Sequence, residues 1–342
     1  MTVATRSREI QLVARPRGEP VESDFRMVST EVADPGPGQV LVRNVAMSVD
    51  PYMRGRMNDV PSYVPPWRLN QPADGAAVGE VVASQADGLP VGSLVTHGLG
   101  WREYALAPAR QVERVELVAG LSSSSHLGVL GMPGLTAYAG LFEVAGFKAG
   151  ESVFVSGAAG AVGSLVGQFA RLRGASRVVG SAGSAAKLRF LTEELGFDAA
   201  FDYHEGPVAD LLRLAAPQGI DVYFDNVGGE HLEAALDSLS VHGRVALCGA
   251  ISLYNSIERP VGPANLALAI SKRLSLRGFL VTDQAHLRSE FRDVVTGWLT
   301  SGQLVVAETV VEGLEQAVPA FIGMLHGANT GKMVVRLAPD PA

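Results

Sequence analysis

The spacing of apolar and polar positions divides the chain into a β-rich first third and an alternating second part. In the first third, short runs containing valine and leucine are separated by Pro/Gly turns such as 35–38 and 89–92, which predicts strands. The predicted strands are 9–14, 25–32, 39–48, 76–83, 93–97 and 101–107. Spacing of this kind favours a small, irregular barrel.

A strand, a glycine turn and a helix are predicted in succession over residues 151–174. Free backbone N–H groups and the positive end of the helix dipole would make this turn an anion site. With 39 glycines in 342 residues, the GxxGxxG pattern at 157–163 arises by chance roughly 0.5 times, so the glycines alone decide little. Ala158 stands where the usual GxGxxG dinucleotide fingerprint has its first glycine, which favours a plain glycine-rich helix start.

Strand and helix patterns alternate after this segment. The predicted strands are 177–181, 199–203, 220–226, 244–248 and 274–281, and the predicted helices are 184–195, 208–215, 230–239, 264–272 and 284–300. Such alternation is typical of a doubly wound parallel sheet, which makes the fold class α/β. The tail 303–337 returns to mixed β and helix, and we expect it to rejoin the N-terminal barrel. The predicted domains are therefore 1–130 with 303–342, and 131–302.

Composition excludes several classes of function. The net charge of −7 implies no large basic surface, so nucleic acid is not an expected partner. The one cysteine can form no internal disulfide, which fits a reducing cytoplasm. The uncharged stretches 117–142 and 153–170 are interrupted by polar residues, proline or glycines, and the N-terminus has no apolar signal region. We therefore expect neither a membrane span nor a signal peptide.

The end of the second predicted strand of the α/β domain indicates which dinucleotide would bind. An NAD site would place Asp or Glu there to bind the ribose 2′-hydroxyl. Here the strand ends in small residues up to Ser184, and Lys187 follows one helical turn later. Room for a 2′-phosphate and a cation to pair with it favour NADPH. Lys187 is equally compatible with a solvated surface residue when taken alone.

Two further strand ends carry polar residues and glycines. Residues 225–229 (DNVGG) follow one strand, and residues 248–252 (CGAIS) follow the next. In open α/β sheets, ligands lie across the carboxyl ends of the strands. One such end is usually a plain turn, whereas two in register with a glycine loop predict the nicotinamide side of a cofactor site.

Eight segments resemble the zinc-independent branch of the medium-chain dehydrogenase/reductase superfamily. They are MSVDPYMRGRM (47–57), GMPGLTAY (131–138), SGAAGAVGSLVGQ (156–168), GSAAKLRFL (183–191), FDYH (201–204), YFDNVGGE (223–230), CGAISLYN (248–255) and GANTGKMVV (327–335). The chain is most similar to the NADPH-dependent enone reductases: the prostaglandin reductase/leukotriene B4 dehydrogenase group, the alkenal double-bond reductases and curcumin reductase. This resemblance implies a GroES-like β-barrel catalytic domain, a Rossmann NADP-binding domain and a homodimer.

The resemblance also implies cofactor-binding residues, motif by motif. For the pyrophosphate and the adenosine phosphate end these are Gly160, Ala161, Val162, Gly163, Ser184, Lys187 and Tyr203. For the ribose and nicotinamide they are Asn226, Cys248, Gly249, Ala250, Ile251, Ser252, Tyr254, Phe279, Leu280, Val281 and Asn329.

No zinc site is expected. Zinc-dependent alcohol dehydrogenases of the superfamily hold the catalytic metal with two cysteines and a histidine. This chain has Ser48 in the segment that resembles the first ligand site, and its only cysteine lies in the α/β half. Without a metal to polarise an alcohol or a carbonyl, the hydride acceptor must already be electrophilic.

An α,β-unsaturated ketone or aldehyde meets this requirement. A hydride from C4 of NADPH attacks the β-carbon, and a hydrogen-bond donor stabilises the enolate oxygen before the α-carbon is protonated. Tyr254 is the first candidate for ordering the nicotinamide ribose and the substrate, and Tyr52 is the second, as donor or pocket wall. For each, the alternative is a packed tyrosine whose hydroxyl contacts water.

Three readings of the function remain open from the sequence. The first is an NADPH-dependent reductase of the C=C bond of small-molecule enones or enals. The second is a quinone reductase or a pathway-specific enoyl reductase that uses the same hydride chemistry. The third is a non-catalytic NADPH-binding redox sensor, since a fold does not determine function.

Overall fold

The computed structural model describes residues 5–340, which form two compact units. Within these residues, the first unit comprises 5–127 and 308–340, and the second comprises 128–307. No helix in the described part of the chain is long and apolar enough to cross a membrane.

Fifteen strands and nine α-helices are described. The strands are β1 Thr5–Leu12, β2 Phe25–Val32, β3 Gln39–Ser48, β4 Ala77–Ser84, β5 Leu94–His97, β6 Tyr104–Pro108, β7 Val112–Arg114, β8 Ser152–Val155, β9 Arg177–Ala182, β10 Ala199–Asp202, β11 Ile220–Asp225, β12 Leu239–Leu247, β13 Ser275–Gly278, β14 Glu308–Glu312 and β15 Lys332–Arg336. The helices are α1 Met53–Arg56, α2 Met132–Tyr138, α3 Gly163–Leu172, α4 Ala185–Arg189, α5 Val208–Ala215, α6 Gly229–Ser238, α7 Leu268–Ser271, α8 Arg288–Thr300 and α9 Ala317–Leu325.

The first unit is built on a mixed sheet of seven strands. Its path is β14-β15-β3-β4-β5-β7, and β6 also pairs with β3. The β1–β2 hairpin forms a separate two-stranded sheet. The expectation that the tail rejoins the N-terminal part is confirmed, because β15 pairs antiparallel with β3. Trp101 is completely buried in the core of this unit and stacks on Phe25.

The second unit contains a six-stranded parallel sheet in the order β10-β9-β8-β11-β12-β13. This is the order of a doubly wound dinucleotide-binding fold, so the predicted fold class is confirmed. The strand order reverses between β8 and β11, which are neighbours in register from Val153↔Val222 to Val155↔Phe224. The glycine turn follows β8, so it lies at this reversal.

Four predicted elements differ from the observed ones. The helix predicted over 264–272 is reduced to α7, because Asn265 donates from its side chain to Glu233 O (2.9 Å) and the chain forms turns before Leu268. The strand predicted over 274–281 ends at Gly278, and the helix predicted over 284–300 begins with a 3₁₀ segment, Val281–Leu287, before α8. The predicted helix 184–195 is α4 followed by a π-helical turn, Phe190–Glu194.

Candidate active site

The glycine turn after β8 is held so tightly that only small residues fit. Gly157 has φ +58°, which favours glycine. A Cβ atom on Gly163 would lie 2.5 Å from Gly157 O. Ala158, at the first fingerprint position, is fully buried and donates its N–H to Ser181 O (2.9 Å). Its methyl group fits because the facing residue of β9 is Gly180, where a Cβ would approach the Ala158 Cβ to 2.8 Å.

The amides at the start of α3 are suited to bind a ligand. Ala161, Val162 and Gly163 stand where a helix has no carbonyl acceptors of its own for its first N–H groups, whereas Ser164 N donates to Gly160 O (3.1 Å). The helix dipole adds partial positive charge at the same place. The predicted residues from Gly160 to Gly163 therefore form an arrangement suited to a phosphate group.

The end of β9 brings together three predicted residues around Gly183. Ser184 caps α4, with its Oγ accepting from Lys187 N at 3.4 Å. A Cβ on Gly183 would lie 2.7 Å from Tyr203 Oη, so the phenol lies against this turn. Lys187 is half-buried, and burial lowers its pKa. An anion bound beside Lys187 would raise that pKa again.

A buried carboxylate organises the end of β11. Asp225 Oδ1 accepts hydrogen bonds from Tyr223 Oη (2.7 Å), Gly228 N (2.8 Å) and Val227 N (3.0 Å). Burial raises the Asp225 pKa, although these donors act in the opposite direction. Asn226 donates its N–H to Ser156 Oγ (3.0 Å) and its side-chain amide to Ser156 O (2.8 Å). The end of β11 is thus attached to the strand end that opens the glycine turn.

The segment 248–254 packs against the same strand end. Cys248 N and Gly249 N both donate to Asp225 O, at 2.9 and 3.0 Å. Ile251 N donates to Asn226 O (3.3 Å), and Ser252 Oγ donates to Val227 O (2.6 Å). The structure therefore brings the two sequence-predicted strand ends together.

Tyr254 closes the segment 248–254 upon itself. Its hydroxyl oxygen accepts from Ala250 N at 3.4 Å and lies 3.4 Å from where a Cβ of Gly249 would be. The hydroxyl is thus directed towards the backbone of Gly249 and Ala250. Burial, followed by the Asp225 charge, raises the pKa of the Cys248 thiol in this segment to about 12.

Three predicted residues, 279–281, directly follow β13, the strand at one edge of the parallel sheet. Phe279 packs edge-on against Phe224, with ring centroids 6.3 Å apart, and its ring occupies the space beside Gly140. Leu280 and Val281 follow it and are half-buried.

Tyr52 and Asn329 belong to the first unit. Tyr52 precedes α1 and is half-buried, and burial, reinforced by the Asp50 carboxylate, raises its pKa well above the usual value. Its phenol, which is neutral at pH 7 as in any tyrosine, therefore stays protonated to a higher pH than usual. Asn329 donates from its side chain to Gly331 O at 2.7 Å.

Sequence reasoning missed a buried polar cluster in the first unit, formed by Ser48, Asp50 and Lys332. Lys332 Nζ lies 3.2 Å from Asp50 Oδ1 and donates to Val49 O at 2.9 Å, and Ser48 donates to Asp50 Oδ2. All three residues are at most 4% exposed. No group of three or more His, Cys, Asp or Glu that could hold a metal occurs among residues 5–340. A lysine, a serine and a single carboxylate do not form a zinc site.

Comparisons with known proteins agree with this architecture. A family model described as the N-terminal domain of oxidoreductase matches residues 8–115, and one described as zinc-binding dehydrogenase matches residues 161–300. The chain is 42% identical to the NADPH-dependent curcumin reductase of Escherichia coli (strain K12), over 98% of each protein. It is 42% identical to a 2-alkenal reductase (NADP(+)-dependent) of Nicotiana tabacum, over 94% of this chain and 95% of the relative.

A solved structure with the same fold is that of CurA from Vibrio vulnificus in complex with NADPH. It superposes with a TM-score of 0.92 at 39% identity, covering 98% of this chain and 100% of that chain.

Proposed function

This chain belongs to the medium-chain dehydrogenase/reductase family, and from that premise we propose that it is an NADPH-dependent reductase of the C=C bond of α,β-unsaturated ketones and aldehydes. The named relatives act on curcumin and on 2-alkenals, which both contain a C=C bond conjugated to a carbonyl group. Their similarity covers nearly the whole chain, so both units are included in the proposal.

The end of β9 is the observation that carries the choice of cofactor. The strand is followed by the small residues Gly183 and Ser184 and has no Asp or Glu there, as an NAD site would need. Lys187 follows one turn into α4. The backbone amides of Ala161, Val162 and Gly163 at the start of α3 suit the pyrophosphate of the same cofactor. The residues present therefore fit NADPH at both phosphate positions.

The residues of the second unit bind and orient the cofactor in this proposal. Asp225 holds the backbone amides of Val227 and Gly228, and its own carbonyl holds those of Cys248 and Gly249. This single residue fixes both segments proposed to line the ribose and nicotinamide. When bound, NADPH supplies a hydride from C4 of its nicotinamide.

Two tyrosines are proposed to act on the substrate side. Tyr52 is proposed as hydrogen-bond donor to the developing enolate oxygen, because a phenol is protonated at neutral pH and the raised pKa of Tyr52 keeps it protonated in alkaline solution as well. Tyr254 is proposed to order the nicotinamide ribose, supported by its position against Gly249 and Ala250. No step is assigned to zinc, because the side chains at Ser48, Asp50 and Lys332 do not suit that metal.

The assembly and the compartment are part of the proposal. A homodimer is supported by β13, which pairs only with β12 in the described sheet, and by exposed apolar side chains shortly before it. These are Ile257, Val261, Leu266 and Ile270. A cytoplasmic location is supported by the free thiol of Cys248.

Consumption of NADPH in the presence of different acceptors tests the function. We expect rapid oxidation of NADPH with a simple enone and with an enal, slower oxidation with a quinone, and no reduction of NADP⁺ with a simple alcohol. If the quinone is the best acceptor, the chain is a quinone reductase instead. If no acceptor leads to consumption although NADPH binds, the protein is a non-catalytic NADPH-binding protein.

The same assay with Lys187→Ala tests the choice of cofactor. Loss of a charge-assisted contact to the 2′-phosphate should raise the KM for NADPH roughly tenfold, with little effect on the KM for NADH. An equal effect on both cofactors would show that Lys187 does not contact the 2′-phosphate.

A further inference from the structure

His204 lies against the turn at which the adenosine 2′-phosphate is proposed to bind. A Cβ atom on Gly183 would be 3.0 Å from His204 Cε1 as well as 2.7 Å from Tyr203 Oη. The two rings are adjacent, with centroids 4.2 Å apart. The imidazole of His204 and the phenol of Tyr203 therefore both lie beside Gly183, which precedes the cap residue Ser184.

Asp202 orients this imidazole. Its Oδ1 accepts from His204 N at 3.0 Å and lies 2.9 Å from His204 Nδ1. Because a carboxylate oxygen only accepts, Nδ1 carries the proton in the neutral ring, and the second proton that makes the ring cationic is added at Nε2. The side chain is 63% exposed, so Nε2 can exchange protons with water.

Three other titratable side chains lie around the His204 ring, and burial shifts the pKa of each. Burial raises the pKa of Tyr203 and lowers that of Lys187. His231, from α6, packs edge-on against Tyr203 at 5.5 Å, and burial lowers its pKa to about 4, so it stays neutral. Asp202 supplies the only carboxylate in hydrogen-bond contact with the His204 ring among the described residues.

We propose that His204 is a specificity-determining residue for NADPH: in its imidazolium form, oriented by Asp202, it adds a second cation beside Lys187 for the 2′-phosphate. An imidazolium attracts the phosphate dianion and a neutral imidazole does not, so the contribution of His204 to discrimination between a 2′-phosphate and a 2′-hydroxyl depends on its protonation. The inference rests on the proposed NADPH function and extends it to a pH dependence of the cofactor choice.

Binding of 2′,5′-ADP and of 5′-AMP to the full chain tests this inference without any turnover. Isothermal titration calorimetry at about pH 6.5 and 8.5 should show that His204→Gln weakens 2′,5′-ADP about three- to fivefold at the lower pH and hardly at the higher one. Binding of 5′-AMP should not change. The comparison between variants removes the ionisation of the phosphate itself, which titrates near pH 6.

Two further variants complete the design. His326→Gln removes another exposed histidine that pairs with a carboxylate, Glu19, at 3.0 Å in the first unit, and it should bind both nucleotides like the parent protein. His204→Arg keeps a cation at both pH values, so its affinity for 2′,5′-ADP at about pH 8.5 should match or exceed that of the parent.

The outcomes separate the inference from the function on which it rests. If His204→Gln binds 2′,5′-ADP as tightly as the parent at both pH values, or weakens 5′-AMP equally, His204 does not recognise the 2′-phosphate, and the proposed reductase function stands. If the parent protein itself binds 2′,5′-ADP no better than 5′-AMP, the assignment of NADPH is wrong, and the inference with it.

Discussion

Asp225 connects residues that are distant in the sequence. Its carboxylate accepts hydrogen bonds from the Tyr223 hydroxyl and from two backbone amides. Its backbone carbonyl accepts hydrogen bonds from the amides of Cys248 and Gly249. Removing one partner of such a buried network leaves the others without acceptors, which is costly. One buried acid therefore holds the geometry of the two segments that follow β11 and β12.

The Cys248 thiol should be unreactive in the folded protein. Because its pKa is raised to about 12, the thiolate is scarce at pH 8, whereas the unfolded chain has an ordinary thiol near 8.5. Alkylation by iodoacetamide at pH 8 should be at least about a hundredfold slower in the native protein than in denaturant. The rate can be followed by mass spectrometry.

The chain provides its own control for this measurement. Cys248 is its only cysteine, so labelling reports on one site, and Cys248→Ser should not be labelled in either state. Equal labelling rates in the native and unfolded states would contradict the raised pKa.

Single residues differ in how well the sequence predicts them. Ser184 and Lys187 were found because an expected acid is missing from a strand end, which is a local signal. The role of Asp225 was not found, because Ser156 follows β8, which lies beside β11 only in the folded sheet, and the carbonyl of Asp225 binds the amides of Cys248 and Gly249 only there. The roles of Ser184 and Lys187 in cofactor binding remain predictions.

At the scale of elements, the turn between β8 and α3 depends on close backbone contact. Gly163 can begin α3 only because no side chain separates it from Gly157 O and Ala158 Cα, which its Cβ would approach to 2.5 and 2.8 Å. Both neighbours are backbone atoms, so neither can rotate away. The close contact between the start of α3 and the glycine turn therefore depends on Gly163, and so does the geometry of the proposed phosphate site.

Gly163→Ala should destabilise the protein by about 1–3 kcal/mol, because the added methyl group forces the turn apart. It should also weaken NADPH binding, since the amides of the turn would move. Urea unfolding and a fluorescence titration with NADPH measure the two effects.

Gly297→Ala is the matched control for this substitution. Gly297 lies inside α8 with open space where its Cβ would be, so alanine should stabilise that helix by up to about 1 kcal/mol and leave NADPH binding unchanged. Equal effects of the two substitutions would contradict the close contact at Gly163.

The elements of regular structure were largely predictable. Strand runs such as Phe25–Val32 and Gln39–Ser48 agree in both bounds with the sequence pattern, because their turns are marked by proline and glycine. The short helix within 264–272 was not predictable. The composition of this segment favours a longer helix, but Asn265 contacts Glu233 from a different helix. Tertiary contacts of this kind leave no local trace.

At the scale of the whole molecule, the proposed dimer can be tested by its mass. If the surface near β13 joins two copies, Ile270→Glu should convert the dimer to a monomer of 35.9 kDa, because Ile270 is 82% exposed in one copy and a buried unpaired charge is costly. Sedimentation velocity distinguishes the two states.

Leu214→Glu serves as the control for the dimer. Leu214 is similarly exposed, at 78%, but lies on α5, away in sequence from β13 and α7. This variant should keep the mass of the parent protein. A parent protein that sediments as a monomer would contradict the proposed dimer. If both variants dissociate, the effect of Ile270→Glu does not place Ile270 in the dimer interface.

The pairing of β15 with β3 also constrains the order in which the molecule can be made. The second unit is one uninterrupted stretch of chain, 128–307, and has all its strands once the ribosome has synthesised and released that stretch. The first unit must wait for residues 308–336, so β3 has an open edge throughout most of translation. A nascent chain that stops before Lys332 would carry a complete nucleotide-binding half together with an unfinished, association-prone one.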